Sequence, residues 1–355
     1  MKNHKRIAAG VVMLAAGLLL LTIARLVHGF GQWYSVNIYA VLVNTIGRVM
    51  GIFPFSVSET GIYVLIVCLI LMIVKCMQKK CFYDLLVNIF LIGTILFFLY
   101  CTNCGVNYYR LSFAESTELN VSKYTVSDLK DTCIWLTEKV NETGGQVNRD
   151  GNGVMYLSAD EAKEAVRVMG SLGGSYPELS GYYPRPKGLF NHWILSVQKL
   201  SGIYSPFTIE ANYNTGMTDY NIPFTACHEL SHLRGFMQEE EANFIAFLAC
   251  LESETNDFKY SGYMLGWIHC MNLLYRIDYE AWEEIRLTLS KEIEPDLNAN
   301  SAFWDKYDGT VAEVADRIND TYLKANGQED GVASYGRMAD LIVIYYCKNI
   351  DQITD

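Results

Sequence analysis

The sequence predicts a mainly α-helical protein with a small β-sheet, in which three N-terminal transmembrane helices precede a larger helical domain. Three long apolar runs lie within residues 1–104, and helical periodicity dominates residues 105–355. One stretch, residues 203–213, alternates between apolar and polar side chains as a half-buried strand does. We therefore expect a membrane domain over residues 1–104 and an outer domain over residues 105–355.

Each apolar run is long enough to cross a bilayer as a helix, which takes about 20 apolar residues. The predicted spans cover about residues 7–28, 60–76 and 83–101. The first follows a short basic segment, as in a signal peptide, but its apolar core is long and a poor cleavage site follows it. Three membrane spans embedded in a lipid bilayer are therefore expected.

Basic residues beside the spans predict their orientation. Three basic residues lie in segment 1–6, before the first span, and three more lie in segment 75–80, between the second and third spans. Both segments are expected in the cytoplasm, because Lys and Arg are enriched in cytoplasmic loops. Three crossings then leave the N-terminus in the cytoplasm and residues 105–355 outside it, in a multi-pass protein of the cell membrane.

The charge of the chain is uneven, and this excludes one class of partner. The sequence has 28 Lys and Arg residues and 39 Asp and Glu residues, and of the acidic residues only Glu59 and Asp84 precede residue 105. The outer domain is therefore strongly acidic. We expect no nucleic acid among its partners, because nucleic-acid binding needs a basic surface.

The strongest chemical signal is an HExxH pattern at residues 228–232, in a predicted helix over residues 223–235. Its two histidines are four positions apart, so both rings face one side of the helix. That spacing suits two ligands of a tetrahedral Zn²⁺ ion, and the adjacent glutamate can take a proton from a zinc-bound water. The pattern predicts His228 and His232 as zinc ligands and Glu229 as general base.

Two histidines leave a catalytic zinc ion one protein ligand short, since such sites use three protein ligands and a water. The next predicted helix, residues 239–252, begins with three successive glutamates. At steps of roughly 100° only one of them can point straight at the metal. Glu239 is favoured, because Asn243 shares its face and could orient a histidine from there. Glu241 is the alternative, although its face carries the apolar stripe, and Glu240 is expected to face solvent.

The chain resembles the DUF3810 family of bacterial membrane proteins, which belongs with the gluzincin-like metallopeptidases. The resembling segments are residues 205–208, 210–212, 214, 223–225, 228–232, 235–236, 239–244, 260–263 and 335–337, together with the three apolar runs. The family name implies no known substrate. In the wider gluzincin clan the third ligand is a glutamate on the helix after HExxH, which the resemblance places at Glu239. Asn243 stands where relatives often carry an aspartate, so it supplies no charge.

A zinc hydrolase also needs a donor that stabilises the oxyanion of the transition state. Tyr260 is the first candidate, because its segment matches the family. Tyr263, His269, Tyr335 and Arg337 are weaker candidates, in helical or pre-helical segments that could reach the site. For each of the five, a packing or surface role is the simpler interpretation.

Together these features predict a membrane-anchored zinc metalloendopeptidase that hydrolyses a peptide or protein substrate by a zinc-activated water. The strand over residues 203–213 could hold an extended peptide by edge pairing, as strands in members of the clan do, or it could equally be an ordinary strand of the sheet. The alternative is a non-catalytic zinc-binding sensor or scaffold in the membrane. Glu229 beside an open coordination position favours the enzyme, because a structural zinc site normally has four protein ligands. A transport role is disfavoured, because the spans lack paired internal charges.

Overall fold

The computed structural model describes residues 2–117, 124–158, 160–326 and 337–353. These residues are mainly helical and include a three-stranded sheet. The chain divides into two compact units, the first comprising Met1–Leu111 with Tyr204–Glu210 and the second comprising Ser112–Ile203 with Ala211–Asp355. The predicted fold class is confirmed in its outline: the described residues are mainly helical, with a small sheet that follows three apolar helices along the chain.

The described residues of the first unit form six α-helices. They are α1 (Lys2–Leu26), α2 (Phe30–Tyr34), α3 (Ala40–Leu42), α4 (Arg48–Gly51), α5 (Val57–Lys79) and α6 (Phe82–Asn103), with π-helical stretches over Ser35–Tyr39 and Val43–Gly47 and a 3₁₀ turn over Gly105–Tyr109. Helices α1, α5 and α6 are long and apolar enough to cross a membrane. Each contains most of the span predicted for it, because an apolar run of this length indicates a membrane helix without any tertiary information.

Helices α1 and α6 pack closely because α1 has glycine at the contact. A Cβ atom on Gly10 would lie 2.6 Å from the ring of Phe90. One on Gly17 would lie 3.2 Å from both Phe97 and Cys101. In lipid, where no hydrophobic effect drives two helices together, small residues allow the close backbone approach that gives favourable van der Waals contact.

Residues 204–210 are part of the first unit although they lie late in the chain. The carboxylate of Glu210 accepts hydrogen bonds from the backbone N–H groups of Val57, at 3.1 Å, and Ser58, at 2.8 Å. These bonds satisfy N–H groups that the first turn of α5 leaves unpaired, and they place a negative charge at the positive end of that helix. The boundary predicted at residue 104 rests on the apolar runs alone and does not reveal that residues 204–210 belong to the first unit. Experiments on function therefore need the full chain.

The second unit begins with α7 (Phe113–Ser116), α8 (Val126–Gly144) and α9 (Glu161–Ser175). It continues with a 3₁₀ turn (Pro177–Leu179), β1 (Lys187–Gly188), α10 (Trp193–Ser196), β2 (Gly202–Ser205) and β3 (Glu210–Tyr213). The remaining helices are α11 (Asn221–Leu233), α12 (Glu239–Leu251), α13 (Asn256–Ile277), α14 (Tyr279–Arg286), α15 (Glu294–Asp305), α16 (Thr310–Ala325) and α17 (Met338–Ile353). Helix α11, which carries the HExxH pattern, packs against α9, α12 and α13.

The sheet has the strand order β1-β3-β2, with β1 parallel to β3. The prediction of one strand over residues 203–213 is wrong, because a turn over residues 206–209 separates β2 from β3. Pro206 begins that turn, and a proline has no N–H to continue a strand ladder. Ile209 ends it with a φ of +53°. The alternation of apolar and polar residues runs on through the turn and conceals it.

Candidate metal centre

Helix α11 is held at both ends by groups outside it. At its start, the hydroxyl of Ser261 on α13 accepts a hydrogen bond from the N–H of Phe224 at 3.1 Å and donates to the carbonyl of Tyr220 at 2.5 Å. At its end, Gly235 has a φ of +98°, a left-handed conformation that lets the chain reverse. The helix predicted over residues 223–235 has this glycine as its last residue, whereas nothing in the local sequence relates Ser261 to the helix.

The three side chains favoured as metal ligands meet in one place. The Nε2 atom of His228 lies 3.3 Å from Oε2 of Glu239, and the Nε2 atom of His232 lies 3.7 Å from the same oxygen. One possible ligand atom from each residue lies within 4.8 Å of the others, so the group could hold a metal ion. The three side chains are 11–14% exposed, so only a small part of the group is accessible to solvent.

The three glutamates that begin α12 have three different partners. Glu239 faces the two histidines. Glu240 forms an ion pair with Arg337 at 2.8 Å, and Glu241 accepts a hydrogen bond from the N–H of Ala114 at 3.2 Å. Rotation of roughly 100° per residue separates these directions. The helix therefore brings Glu239, and not Glu241, to the histidines. The expectation that Glu240 faces solvent is wrong, because Arg337 pairs with it and the residue is only 8% exposed.

The charges of the group depend on one another. Burial alone would lower the pKa of His232, but the carboxylates of Glu239 and, more weakly, Glu229 outweigh burial and raise that pKa to about 9. Burial alone would raise the pKa of Glu239, but the two histidines hold it well below its usual range. The carboxylates thus favour a positive charge between them, which a proton or a metal ion can supply.

The two imidazole rings are held differently. The Nδ1–H group of His232 donates to the carbonyl of Phe236 at 2.7 Å, which leaves Nε2 of that ring facing Glu239. The Nδ1 atom of His228 is buried and has no hydrogen-bond partner among the described residues. Asn243 is buried one turn after Glu239, and its role in orienting a histidine stays a prediction. The contribution of Phe236 leaves no signal in the sequence, because any residue has a backbone carbonyl.

Glu229 lies beneath the start of strand β2 and is 3% exposed. A Cβ atom on Gly202 would lie 2.5 Å from its Oε1 atom and 2.7 Å from Cγ2 of Thr225. The main chain of β2 is therefore in contact with the carboxylate. Since β2 is an edge strand of the sheet, the carboxylate of Glu229 lies beside the edge of that sheet.

Tyr260 takes part in a separate buried network. Its hydroxyl donates to Oδ2 of Asp296 at 2.5 Å, and Arg149 donates to the same oxygen at 2.8 Å. The backbone N–H of Met155 donates to the other carboxylate oxygen at 2.7 Å. Burial and the charge of Asp296 raise the pKa of Tyr260, so its hydroxyl keeps the proton that it donates. The predicted catalytic role of Tyr260 stays a prediction, and these contacts give it a structural role.

Removing the hydroxyl of Tyr260 is expected to lower stability and leave metal binding unchanged. Tyr260→Phe deprives the buried carboxylate of Asp296 of one donor, and a hydrogen bond to a charged group contributes about 1.5–3 kcal/mol. Thermal unfolding and metal titration of the same preparation measure both effects, with Tyr275→Phe at an exposed position as the control. A Tyr260→Phe protein of normal stability and metal affinity that has lost hydrolysis would instead support the catalytic role.

The weaker oxyanion candidates are scattered. Arg337 pairs with Glu240, which follows Glu239 on α12. The ring of Tyr263 packs against Trp135 and Phe247, and His269 is half-buried on α13. Tyr335 lies outside the described residues.

The family model described as a protein of unknown function, DUF3810, matches residues 34–343. The chain belongs to the DUF3810 family. The matched range includes the whole histidine and glutamate group of this DUF3810 protein, as well as spans α5 and α6. The family predicted from the sequence is thereby confirmed, and a relation to gluzincin-like metallopeptidases stays a prediction. No curated protein and no solved structure matches the chain.

Proposed function

We propose that this DUF3810 protein is a membrane-anchored zinc metalloendopeptidase of the gluzincin type. The observation that carries the proposal is the meeting of His228, His232 and Glu239 close to a further buried carboxylate, Glu229. Two histidines and one glutamate are a known ligand set of catalytic zinc, with water in the fourth position. The cluster found among the described residues has three members, whereas a structural site would normally offer four.

The two separations between Glu239 and the histidines are close to those expected around zinc. Ligand atoms about 2.0–2.1 Å from a tetrahedral ion lie roughly 3.3 Å from one another. The oxygen of Glu239 lies 3.3 Å from the nitrogen of His228 and 3.7 Å from that of His232. The ligand atoms of all three residues lie within 4.8 Å of one another, so the two histidine nitrogens would close on the ion as it binds. Nitrogen and oxygen donors suit Zn²⁺.

In the proposed mechanism, His228, His232 and Glu239 would hold a zinc ion, which would lower the pKa of a coordinated water to about 7 and polarise the scissile carbonyl. The remaining roles belong to side chains and backbone groups of the protein. The carboxylate of Glu239 offsets part of the positive charge of the metal ion. The carbonyl of Phe236 keeps His232 in the tautomer whose Nε2 atom is free to bind the metal. Glu229 accepts the proton of the attacking water and returns it to the departing amine, as a general base and then a general acid. Burial of Glu229 keeps bulk water from competing for that proton.

An extended peptide is the substrate class that best suits this arrangement. Strand β2 lies at the edge of the sheet, and its first residue, Gly202, touches Glu229. An edge strand can bind an extended peptide through main-chain hydrogen bonds. Pairing along β2 would bring a peptide bond close to the proposed base.

A zinc-binding sensor or scaffold is the second candidate, and the 3% exposure of Glu229 favours it, since a base must reach its substrate. The full-length protein in detergent, incubated with a peptide library and analysed by mass spectrometry, separates the two. A peptidase should produce new termini that disappear on chelation and return with added zinc. One bound zinc per chain without any cleavage would support the scaffold.

We also propose that the N-terminus lies in the cytoplasm of the bacterial cell and that residues 105–355 lie outside it. A reporter that is active only after export should therefore be active when fused after Asp355 and inactive when fused after Lys80. A reporter that is active only in the cytoplasm serves as the control and should give the opposite pattern. Cytoplasmic activity after Asp355 would reverse the assigned orientation.

A further inference from the structure

The start of β2 lies against the face of α11 that carries Thr225 and Glu229, which are four positions apart and both at most 4% exposed. A Cβ atom on Gly202 would lie 2.5 Å from Oε1 of Glu229, 2.8 Å from its Cγ atom and 2.7 Å from Cγ2 of Thr225. Real Cβ atoms essentially never approach other atoms within 3.0 Å. A side chain at position 202 therefore requires Glu229, Thr225 or the strand to shift.

Lack of space, and not backbone conformation, requires glycine at this position. Gly202 is a strand residue and is not among those with a positive φ. An alanine could therefore adopt its backbone conformation without strain. What an alanine would change is the space available to the two side chains of α11.

We propose that Gly202 is a positioning residue that sets the place of the Glu229 carboxylate, an inference that rests on the proposed function. The added methyl group would have to displace the carboxylate or the strand by roughly 1 Å, and a misplacement of that size can reduce catalysis about 100-fold. The three atoms nearest to the added Cβ belong to Glu229 and Thr225. The ligand group of His228, His232 and Glu239 is not among them, so the effect should fall on the base and leave metal binding intact.

The chain offers a matched control on the same sheet. A Cβ atom on Gly188, in strand β1, would lie 2.4 Å from Cγ2 of Thr215 and 3.2 Å from the ring of Tyr213. Gly188→Ala therefore introduces a shortest contact of similar length at a strand glycine, although with one atom below 3.0 Å instead of three, and not against Glu229. A general loss of packing would affect both alanine variants, whereas a positioning role would affect Gly202→Ala alone.

The test uses the full-length protein loaded with Co²⁺, a spectroscopic probe for zinc sites, and acetohydroxamic acid as a ligand of the metal. The hydroxamate donates a hydrogen bond to a base beside the metal, and loss of a bond to a charged group weakens binding about 10- to 100-fold. We expect that loss in Glu229→Gln and in Gly202→Ala, with the Co²⁺ affinity of both unchanged. Gly188→Ala should bind the hydroxamate as wild type does. On a cleavable peptide, Gly202→Ala should lower kcat about 100-fold with little change in KM.

A second variant covers the case in which Gly202→Ala folds poorly. Glu229→Asp draws the carboxylate back by one methylene, so in that background Gly202→Ala should have little further effect on hydroxamate binding. Such non-additivity indicates direct contact between the two positions.

The outcomes separate the inference from the proposed function. Wild-type affinity in Gly202→Ala, with weakened binding in Glu229→Gln, would overturn the inference and leave the proposed function in place. Equal weakening in Gly188→Ala, or full additivity with Glu229→Asp, would also overturn it. Wild-type affinity in Glu229→Gln, or a wild-type chain that binds no Co²⁺, would overturn both.

Discussion

Glu229→Gln is expected to retain zinc and to lose peptide hydrolysis by about 100- to 10,000-fold, the range that general acid–base catalysis contributes. Glutamine keeps the shape of the side chain under β2 but cannot accept a proton. The ligand group of His228, His232 and Glu239 is unchanged, so the metal should stay. Zinc content by atomic emission and the cleavage rate of the same preparation measure the two effects.

Glu254→Gln is the control for Glu229→Gln, because it removes an exposed carboxylate on the same unit. It should match wild type in zinc content and rate. If Glu229→Gln cleaves as fast as wild type, Glu229 is not the base. If it loses its zinc, Glu229 acts as a ligand, and the division of roles within the site is wrong.

Glu239→Gln is expected to weaken zinc binding by more than about 100-fold, because even residues that only orient a ligand contribute about 10- to 100-fold to affinity. Glu240→Gln and Glu241→Gln are matched controls on the same helical turn. The first weakens the ion pair with Arg337, and the second weakens the bond from Ala114. Both should keep their zinc through dialysis. Loss of zinc from Glu241→Gln, with full retention in Glu239→Gln, would reverse the assignment.

The features that follow from local periodicity were predictable. The three apolar helices were found because membrane length is visible in the composition of one segment. The placing of Glu239 towards the histidines was found because rotation along a helix separates three successive residues. A single sequence was therefore enough to bring the members of the candidate metal centre together.

The features that depend on distant segments were not predictable. Glu210 caps α5 from more than 150 positions away, and Ser261 caps α11 from a different helix. The burial of Glu240 depends on Arg337, which lies almost 100 positions further on. Hydrophobic periodicity reports only which face of a segment is buried, and not which segment covers it. The contact between Gly202 and Glu229 was missed for the same reason.

X-ray absorption of the zinc-loaded, full-length protein tests the central claim most directly, because it reports the atoms bound to the metal. The spectrum should show two imidazole nitrogens and oxygen donors at about 2.0–2.2 Å, with no sulfur. Replacing His232 with alanine should remove one imidazole and lower the metal content. A sulfur ligand at about 2.3 Å, or four protein ligands with no water, would contradict an open catalytic zinc site.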